Sequence, residues 1–128
     1  MSSPVTSESP ETPSRVAVVD ADRRVQQSIA EVLRVAGVEV IGTAGDVRTA
    51  LELVENGHPS VLLVDPRLPD IDAGRALLSG VALGWPSIRV VLMGWTDEPD
   101  GMPPQAAFVS KTAQPEEFVA ATVAACNC

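Results

Sequence analysis

VLLVDPRLPD, residues 61–70, gives the clearest indication of the fold. Its first four residues are apolar, which favours a strand buried on both faces of a sheet. Asp65 closes that run, and Pro66 turns the chain away from it. A continuous apolar strand is typical of a parallel α/β sheet covered on both faces, in which functional groups gather beyond the carboxyl ends of the strands.

Outward from residues 61–70, short apolar runs alternate with segments of helical periodicity. Further strands are predicted over residues 16–20, 38–41, 88–93 and 106–110. Helices are predicted from residue 25 to a cap at Gly37, from a cap at Asp46 to residue 57, over residues 73–83, and from Pro115 onward. Five strands that alternate with helices predict an α/β fold with a doubly wound parallel sheet.

The two ends of the chain differ from its middle in composition and in expected structure. Residues 1–14 are rich in serine, threonine, proline and glutamate, which predicts a disordered tail. One domain is expected over residues 15–125, with residues 126–128 as a short carboxyl-terminal tail. That tail holds the only two cysteines, Cys126 and Cys128, which we expect to stay reduced. Because only these three residues follow the last helix, we expect a module with no attached output domain.

Composition and charge exclude several classes of protein. With 45% apolar and 20% charged residues, the 128-residue chain can fold around a core. No apolar run approaches the ~20 residues of a membrane span. The amino terminus also lacks the pattern of a secretory signal, so we expect a cytoplasmic protein without a membrane span. A net charge of −8 argues against direct binding to nucleic acid, since phosphate contacts need basic surfaces.

Three charged residues follow predicted strands and are expected to meet at one edge of the sheet. Asp20 ends the first strand, Asp65 ends the third, and Lys111 follows the fifth. Lys111 is the only lysine among nine basic residues, so we expect it to serve a site. Two carboxylates and an ammonium around a cleft can hold a hard cation, and one carboxylate can accept a phosphoryl group. We expect Lys111 to pair with Asp65 in the resting protein.

These motifs resemble the receiver domain of two-component response regulators. The resemblance rests on residues 16–20, on LLVDPRLPD at 62–70, on FVSK at 108–111 and on PEEF at 115–118. It covers about residues 15–125. It implies a flavodoxin-like sheet of strand order 2-1-3-4-5 and a role in phosphorelay signal transduction, without enzymatic activity.

The resemblance also implies roles for the site residues. Asp65 would accept a phosphoryl group from a sensor histidine kinase or a phosphotransfer protein, and Lys111 would contact the phosphate. Asp20 and Asp22 would form the acidic pocket. Mg²⁺ would bind to Asp20, to Asp65 and to the backbone carbonyl of Arg67. A downstream protein partner is expected, and a homodimer is left open.

Three positions depart from the family pattern. Ala21 stands where the family has a second, metal-binding acid, so we expect Mg²⁺ to bind weakly or not at all. Asp22 either compensates for that loss or caps the first helix. Gly94 replaces the hydroxyl residue that bonds the phosphate in the family, which leaves the aromatic Phe108 without its switch partner.

The segment between the fourth and fifth predicted strands is also unusual. It contains three prolines, so the fourth helix of the family is expected to be shortened or absent. Trp95 and Met102 become candidate interface residues, and with Phe108 they are expected to form one surface beside these strands. The alternative is that these side chains fill the space of the missing helix.

Three other functions are left open. The first is a pseudo-receiver, a protein-interaction module that works without phosphorylation. The second is a haloacid-dehalogenase-type phosphatase, because Asp20-Ala21-Asp22 after an apolar strand is similar to its nucleophile motif. Arg24 and the short chain argue against that enzyme. The third is a flavin-binding protein of similar sheet order, against which the acids after the first strand would repel a phosphate.

Overall fold

Five parallel strands form a single sheet in the part of the chain that the computed structural model describes, residues 15–95 and 107–126. The strands are β1 (Arg15–Val19), β2 (Glu39–Ala44), β3 (Val61–Val64), β4 (Arg89–Gly94) and β5 (Ala107–Ser110). Their order across the sheet is β2-β1-β3-β4-β5, and every neighbouring pair is parallel. The predicted α/β fold and its strand order 2-1-3-4-5 are therefore confirmed.

Helices cover both faces of this sheet. They are α1 (Arg23–Val35), α2 (Val47–Gly57), α3 (Ile71–Gly84) and α4 (Pro115–Cys126). Three of them begin at an aspartate whose carboxylate accepts a backbone N–H of the first turn, namely Asp22, Asp46 and Asp70. The hydrogen bond from the Thr49 backbone holds the pKa of Asp46 below its usual value. Gly37, with a φ of 87°, turns the chain out of α1 as predicted.

The core divides into two layers because successive residues of a strand point to opposite faces. Val16 and Val18 of β1 pack with Ile29 and Leu33 of α1 and with Phe118 of α4. The intervening strand residues pack instead against α2 and α3, in a cluster that contains Ala17, Val19, Ala50, Val54, Leu77 and Val81. The central strands β1 and β3 are thus buried on both faces, which explains their continuous apolar runs.

Several sequence predictions differ from the structure at their edges. β2 continues to Ala44, beyond the predicted end at residue 41. The last helix includes Cys126, the first residue of the expected carboxyl-terminal tail. Met102, residues 1–14 and the segment expected to hold a shortened fourth helix lie outside the described residues. Among the helices that are described, none is long and apolar enough to cross a membrane.

Candidate functional site

The site lies at the carboxyl ends of the strands, where the ladder of backbone hydrogen bonds continues one residue beyond three of them. The N–H of Asp20 donates to the carbonyl of Ala44 at 2.9 Å, and the N–H of Asp65 donates to Val19 at 2.9 Å. The N–H of Lys111 donates to the carbonyl of Gly94 at 2.8 Å. These bonds fix the backbone of all three charged residues relative to the sheet.

The three charged side chains meet in a buried cluster, which we call the ion trio (Asp20, Asp65 and Lys111). The Nζ atom of Lys111 lies 2.5 Å from Oδ2 of Asp20 and 2.5 Å from Oδ2 of Asp65. The exposed fractions of the side chains are 4% for Lys111, 3% for Asp20 and 8% for Asp65. The predicted pairing of Lys111 with Asp65 is confirmed, and Asp20 shares the same ammonium.

The other oxygen of each carboxylate is bound within its own loop. Oδ1 of Asp20 accepts the backbone N–H of Asp22 at 2.8 Å. Oδ1 of Asp65 accepts the backbone N–H of Arg67 at 3.0 Å. Both are turns in which an aspartate bonds the backbone two residues on. Each carboxylate therefore binds its own loop through one oxygen and Lys111 through the other.

Two opposing effects set the charge state of Lys111. Burial lowers the pKa of an ammonium, because a charged group loses its hydration. The hydrogen bonds and charges of Asp20 and Asp65 outweigh that loss and raise the pKa of Lys111 above its usual value. Lys111 is therefore a permanent cation at neutral pH.

The residues next to Asp20 do not extend the acidic pocket. Asp22 is exposed, and its carboxylate accepts the backbone N–H of Arg24 at 2.8 Å, so it caps α1. The expected alternative that Asp22 caps the first helix is therefore confirmed, and the structure does not place Asp22 in the ion trio. Ala21 is exposed and carries no oxygen in its side chain.

The loop at Asp20 is held by a buried polar residue, Gln26, that the sequence analysis did not predict. The side-chain amide of Gln26 donates to the backbone carbonyl of Asp20 at 2.6 Å. Gln26 is only 8% exposed, and it lies one turn before Ile29 and Ala30 on the core face of α1. A polar side chain on the apolar face of a helix was the signal that could have identified it, because a buried amide needs a hydrogen-bond partner.

The loop after β3 is held by a close approach of two backbones. A Cβ atom at Gly74 of α3 would overlap the backbone carbonyl of Pro66. Only glycine allows the helix to lie this close to the loop. The contact fixes the segment that immediately follows Asp65.

The donor set of the site fits an ammonium better than it fits Mg²⁺. Mg²⁺ needs near-octahedral oxygen ligands. Each of the four carboxylate oxygens of the ion trio already has a partner, either the ammonium of Lys111 or a backbone N–H, and position 21 supplies no further acid. Within residues 15–95 and 107–126, no group of three or more acidic, histidine or cysteine side chains could hold a metal ion.

The end of β4 carries an aromatic side chain instead of a hydroxyl. Gly94 is followed by Trp95, which is 61% exposed. The Trp95 ring lies over the ion trio, with its centroid 5.3 Å from Nζ of Lys111, within reach of a cation–π interaction. The alternative that Trp95 fills an interior gap is therefore wrong.

Trp95 and Phe108 do not share a surface. Trp95 borders a pocket with Val25 and Phe118, which belong to the α1 and α4 face of the sheet. Phe108 packs against Leu92 and the core layer on the opposite face. Because neighbouring strand residues alternate between faces, the predicted surface of Trp95, Met102 and Phe108 is wrong at Phe108.

Comparison with known proteins identifies this arrangement. A family model described as the response regulator receiver domain matches residues 16–122. The chain belongs to that family. It is a receiver domain of two-component phosphorelay signalling, and the ion trio lies at the strand ends where the sequence resemblance placed the family's site. Membership in this family favours neither the phosphatase nor the flavin-binding alternative.

Two curated relatives share part of the receiver. Transcriptional regulatory protein PdtaR of Mycobacterium tuberculosis is 33% identical over 82 residues, which are 62% of this chain and 40% of that protein. Protein-glutamate methylesterase/protein-glutamine glutaminase 2 of Xanthomonas oryzae pv. oryzae is 41% identical over 63 residues, 48% of this chain and 18% of that protein. The receiver thus spans less than half of each relative.

A solved structure extends the likeness to nearly the whole fold. The signal receiver domain of the response regulator NarL from Mycobacterium tuberculosis superimposes with a TM-score of 0.74 at 28% identity. The match covers 92% of this chain and 98% of that one. The fold of this chain therefore resembles that receiver domain over most of its length.

Proposed function

We propose that this receiver accepts a phosphoryl group on Asp65 slowly, because the ammonium of Lys111 already binds the Asp65 carboxylate. The observation that carries the proposal is the ion trio, in which one ammonium lies 2.5 Å from a carboxylate oxygen of both Asp20 and Asp65. The donor would be a sensor histidine kinase or a phosphotransfer protein. Such a donor works in the cytoplasm, where we place this protein.

The chemistry needs a nucleophile and a neutralising charge. An oxygen of Asp65 attacks the phosphorus atom of the donor, the bond from phosphorus to the leaving group breaks, and its electron pair departs with that group. The product is an acyl phosphate, whose oxygens the ammonium of Lys111 neutralises. Both oxygens of Asp65 are bound at rest, to Lys111 and to the N–H of Arg67, so one contact must break before attack.

We further propose that Mg²⁺ binds this receiver weakly because position 21 is alanine. The substitution Ala21→Asp adds a carboxylate beside Asp20, and it should tighten Mg²⁺ binding about tenfold, equivalent to about 1.4 kcal/mol. The gain is smaller than the raw attraction of a charge pair, about 4 kcal/mol at 4 Å, since desolvation opposes it. Titration with Mg²⁺ followed by amide chemical shifts measures the difference.

The experiment that tests the proposal is incubation with acetyl phosphate and Mg²⁺, followed by intact mass spectrometry. We expect slow addition of one phosphoryl group to the natural chain, faster addition to the Ala21→Asp variant, and none to Asp65→Asn. Addition to Asp65→Asn would place the acceptor elsewhere. No addition to either the natural chain or Ala21→Asp would overturn the assignment of Asp65 as acceptor.

A second candidate function is a pseudo-receiver whose output does not depend on phosphorylation. It is favoured by Gly94, which offers no hydroxyl to a phosphate, and by the exposed Trp95 beside it. A switch needs a ligand that contacts one of two states better than the other, and that contact is missing here. Beryllofluoride discriminates the two functions: shifts in the amide resonances of residues 89–95 and 107–111 would support switching, and an unchanged spectrum would support the pseudo-receiver.

A further inference from the structure

The surface of α4 is apolar on both sides, which is unusual for a helix at the outside of a domain. From Phe118 to Ala125 its only polar residue is Thr122, and that side chain faces the core and is fully buried. The outward residues Ala120, Val123 and Ala124 are exposed. A helix that is hydrophobic all round is normally covered on all sides.

This outward face continues into a groove of about 620 Å³ between α1 and α4, which we call the α1–α4 groove. Its apolar lining includes Val32, Val35, Val119 and Val123. Val35 is 78% exposed and Val123 is 36% exposed. Exposed valines that lie together differ from single surface apolar residues, which need no explanation.

The charges at the rim of the α1–α4 groove restrict what could cover it. Among the described residues that line it, only Glu31 and Glu116 are charged, and both are exposed. A second copy of this chain, with a net charge of −8, would bring further glutamates against this rim. The segments 1–14 and 96–106 of the same chain are also acidic, since all their charged residues are aspartate or glutamate. Charge complementarity therefore favours a basic occupant.

The shape of the surface favours a helix as that occupant. The edge strands of the described sheet are β2 and β5, whereas the groove lies between two helices. An extended peptide would find no strand edge there for its backbone hydrogen bonds. An amphipathic helix satisfies its own backbone and presents an apolar stripe.

We propose that the α1–α4 groove binds an amphipathic helix of another protein, with lysine or arginine flanking its apolar stripe. The stripe covers the four valines, and the basic residues pair with Glu31 and Glu116. This interaction uses none of the ion trio, so it goes beyond phosphotransfer and does not depend on it.

Selection from a library of helical peptides tests the proposal. The peptides keep an apolar stripe and vary freely at the flanking positions, and the target is the whole chain. We expect selected peptides to carry lysine or arginine at the flanks and to shift the amide resonances of residues 31–36 and 115–124. Binding should weaken as salt is added, because exposed charge pairs are screened.

Charge reversal gives the matched control. The double variant Glu31→Lys/Glu116→Lys should bind the selected peptides about tenfold more weakly and should bind acid-flanked versions better. Glu52→Lys/Glu55→Lys makes the same change in charge on α2 and should leave binding unchanged.

Three results would overturn the proposal. The first is a selection that yields only acidic or neutral flanks, or no binders at all. The second is binding that shifts amide resonances elsewhere and leaves the groove unaffected. The third is a dimer in sedimentation whose formation shifts the groove resonances, which would make a second copy of this chain the occupant.

Discussion

The ion trio and the α1–α4 groove lie in the same domain, but their side chains differ in how far they find partners within the chain. In the ion trio, both buried carboxylates find a cation and backbone N–H groups within the chain itself. In the groove, Val35 and Val123 leave 78% and 36% of their surface exposed to water. A ligand that enters the ion trio must first break contacts that already exist. A ligand that covers the groove instead buries exposed apolar surface and stabilises the folded protein.

Removal of the Lys111 ammonium from the ion trio should destabilise the protein more than any other substitution considered below. Lys111→Met leaves two buried carboxylates beside each other without a counter-charge, and it should lower the free energy of unfolding by about 3–5 kcal/mol. Urea denaturation measures the change. Arg48→Met, which breaks the exposed pair of Arg48 with Glu52, is the control and should cost less than about 1 kcal/mol.

Part of the loss in Lys111→Met should return when one carboxylate is also removed. Adding Asp20→Asn to that variant reduces the uncompensated charge to a single aspartate. If the double variant were as unstable as the single one, lost packing rather than charge would explain the effect.

The contribution of Lys111 to stability should also depend on pH. Because the pKa of Lys111 is raised in the folded state, its contribution is fully present below the unfolded value of 10.5 and is lost as the pH rises through the folded value. The stability difference between the natural chain and Lys111→Met should therefore hold at neutral pH and shrink only above 10.5. The chain has no tyrosine and no other lysine, so few groups compete in this range. A difference that shrank near neutral pH would contradict the raised pKa.

A glycine pair in α3 tests how closely the Asp65 loop is packed. Gly74→Ala places a methyl group on the carbonyl of Pro66 and should destabilise the protein by about 1–3 kcal/mol. Gly80→Ala, in the same helix with nothing within 4 Å of the new Cβ, should be neutral or stabilise by up to about 1 kcal/mol. Thermal unfolding compares the two, and equal shifts would mean that the close approach does not matter.

Trp95 tests whether the ion trio extends to an aromatic ring. Trp95→Ala removes the ring over Lys111 and should cost about 0.5–1 kcal/mol, the range for a cation–π contact at an exposed site. Trp95→Phe keeps a ring and should retain part of that stability. Chemical denaturation of the three proteins measures their order of stability. A Trp95→Phe variant that is no more stable than Trp95→Ala would argue against the interaction.

The smallest effect is expected in the groove. Val123→Ser lies on the outer face of α4 and should change the free energy of unfolding by less than about 0.5 kcal/mol. Val54→Ser, at a fully buried position, should cost about 2 kcal/mol or more because it gives up the burial of a valine side chain. Equal losses would show that Val123 contributes to the fold and that the groove is less open than described.

The sequence predicted the sheet well because each strand is an apolar run followed by a turn. Its main error was the length of β2, where Gly42 and Thr43 look like the start of a loop. The strand continues because the missing side chain of Gly42 leaves room for Leu53 of α2, whose Cδ1 would lie 2.8 Å from a Cβ there. Contacts between distant residues of this kind leave no periodic pattern in the sequence.

The site was predictable where charge alone decides it. Asp65 and Lys111 stand out by position and rarity, and their pairing followed from opposite charge. The separation of Trp95 from Phe108 depends on the alternation of faces along β4 and β5, which requires the strand register. The open face of α4 could not be predicted, because a helix apolar all round does not indicate which side is outward.

The solitary lysine has a consequence for the chemistry of the whole chain. Lys111 carries the only side-chain amine, and its side chain is 4% exposed. Acylating reagents that modify amines would therefore find little to attack besides the amino terminus. The rate at which such a reagent modifies Lys111 would measure how often the ion trio opens. Labelling followed by mass spectrometry would report that rate.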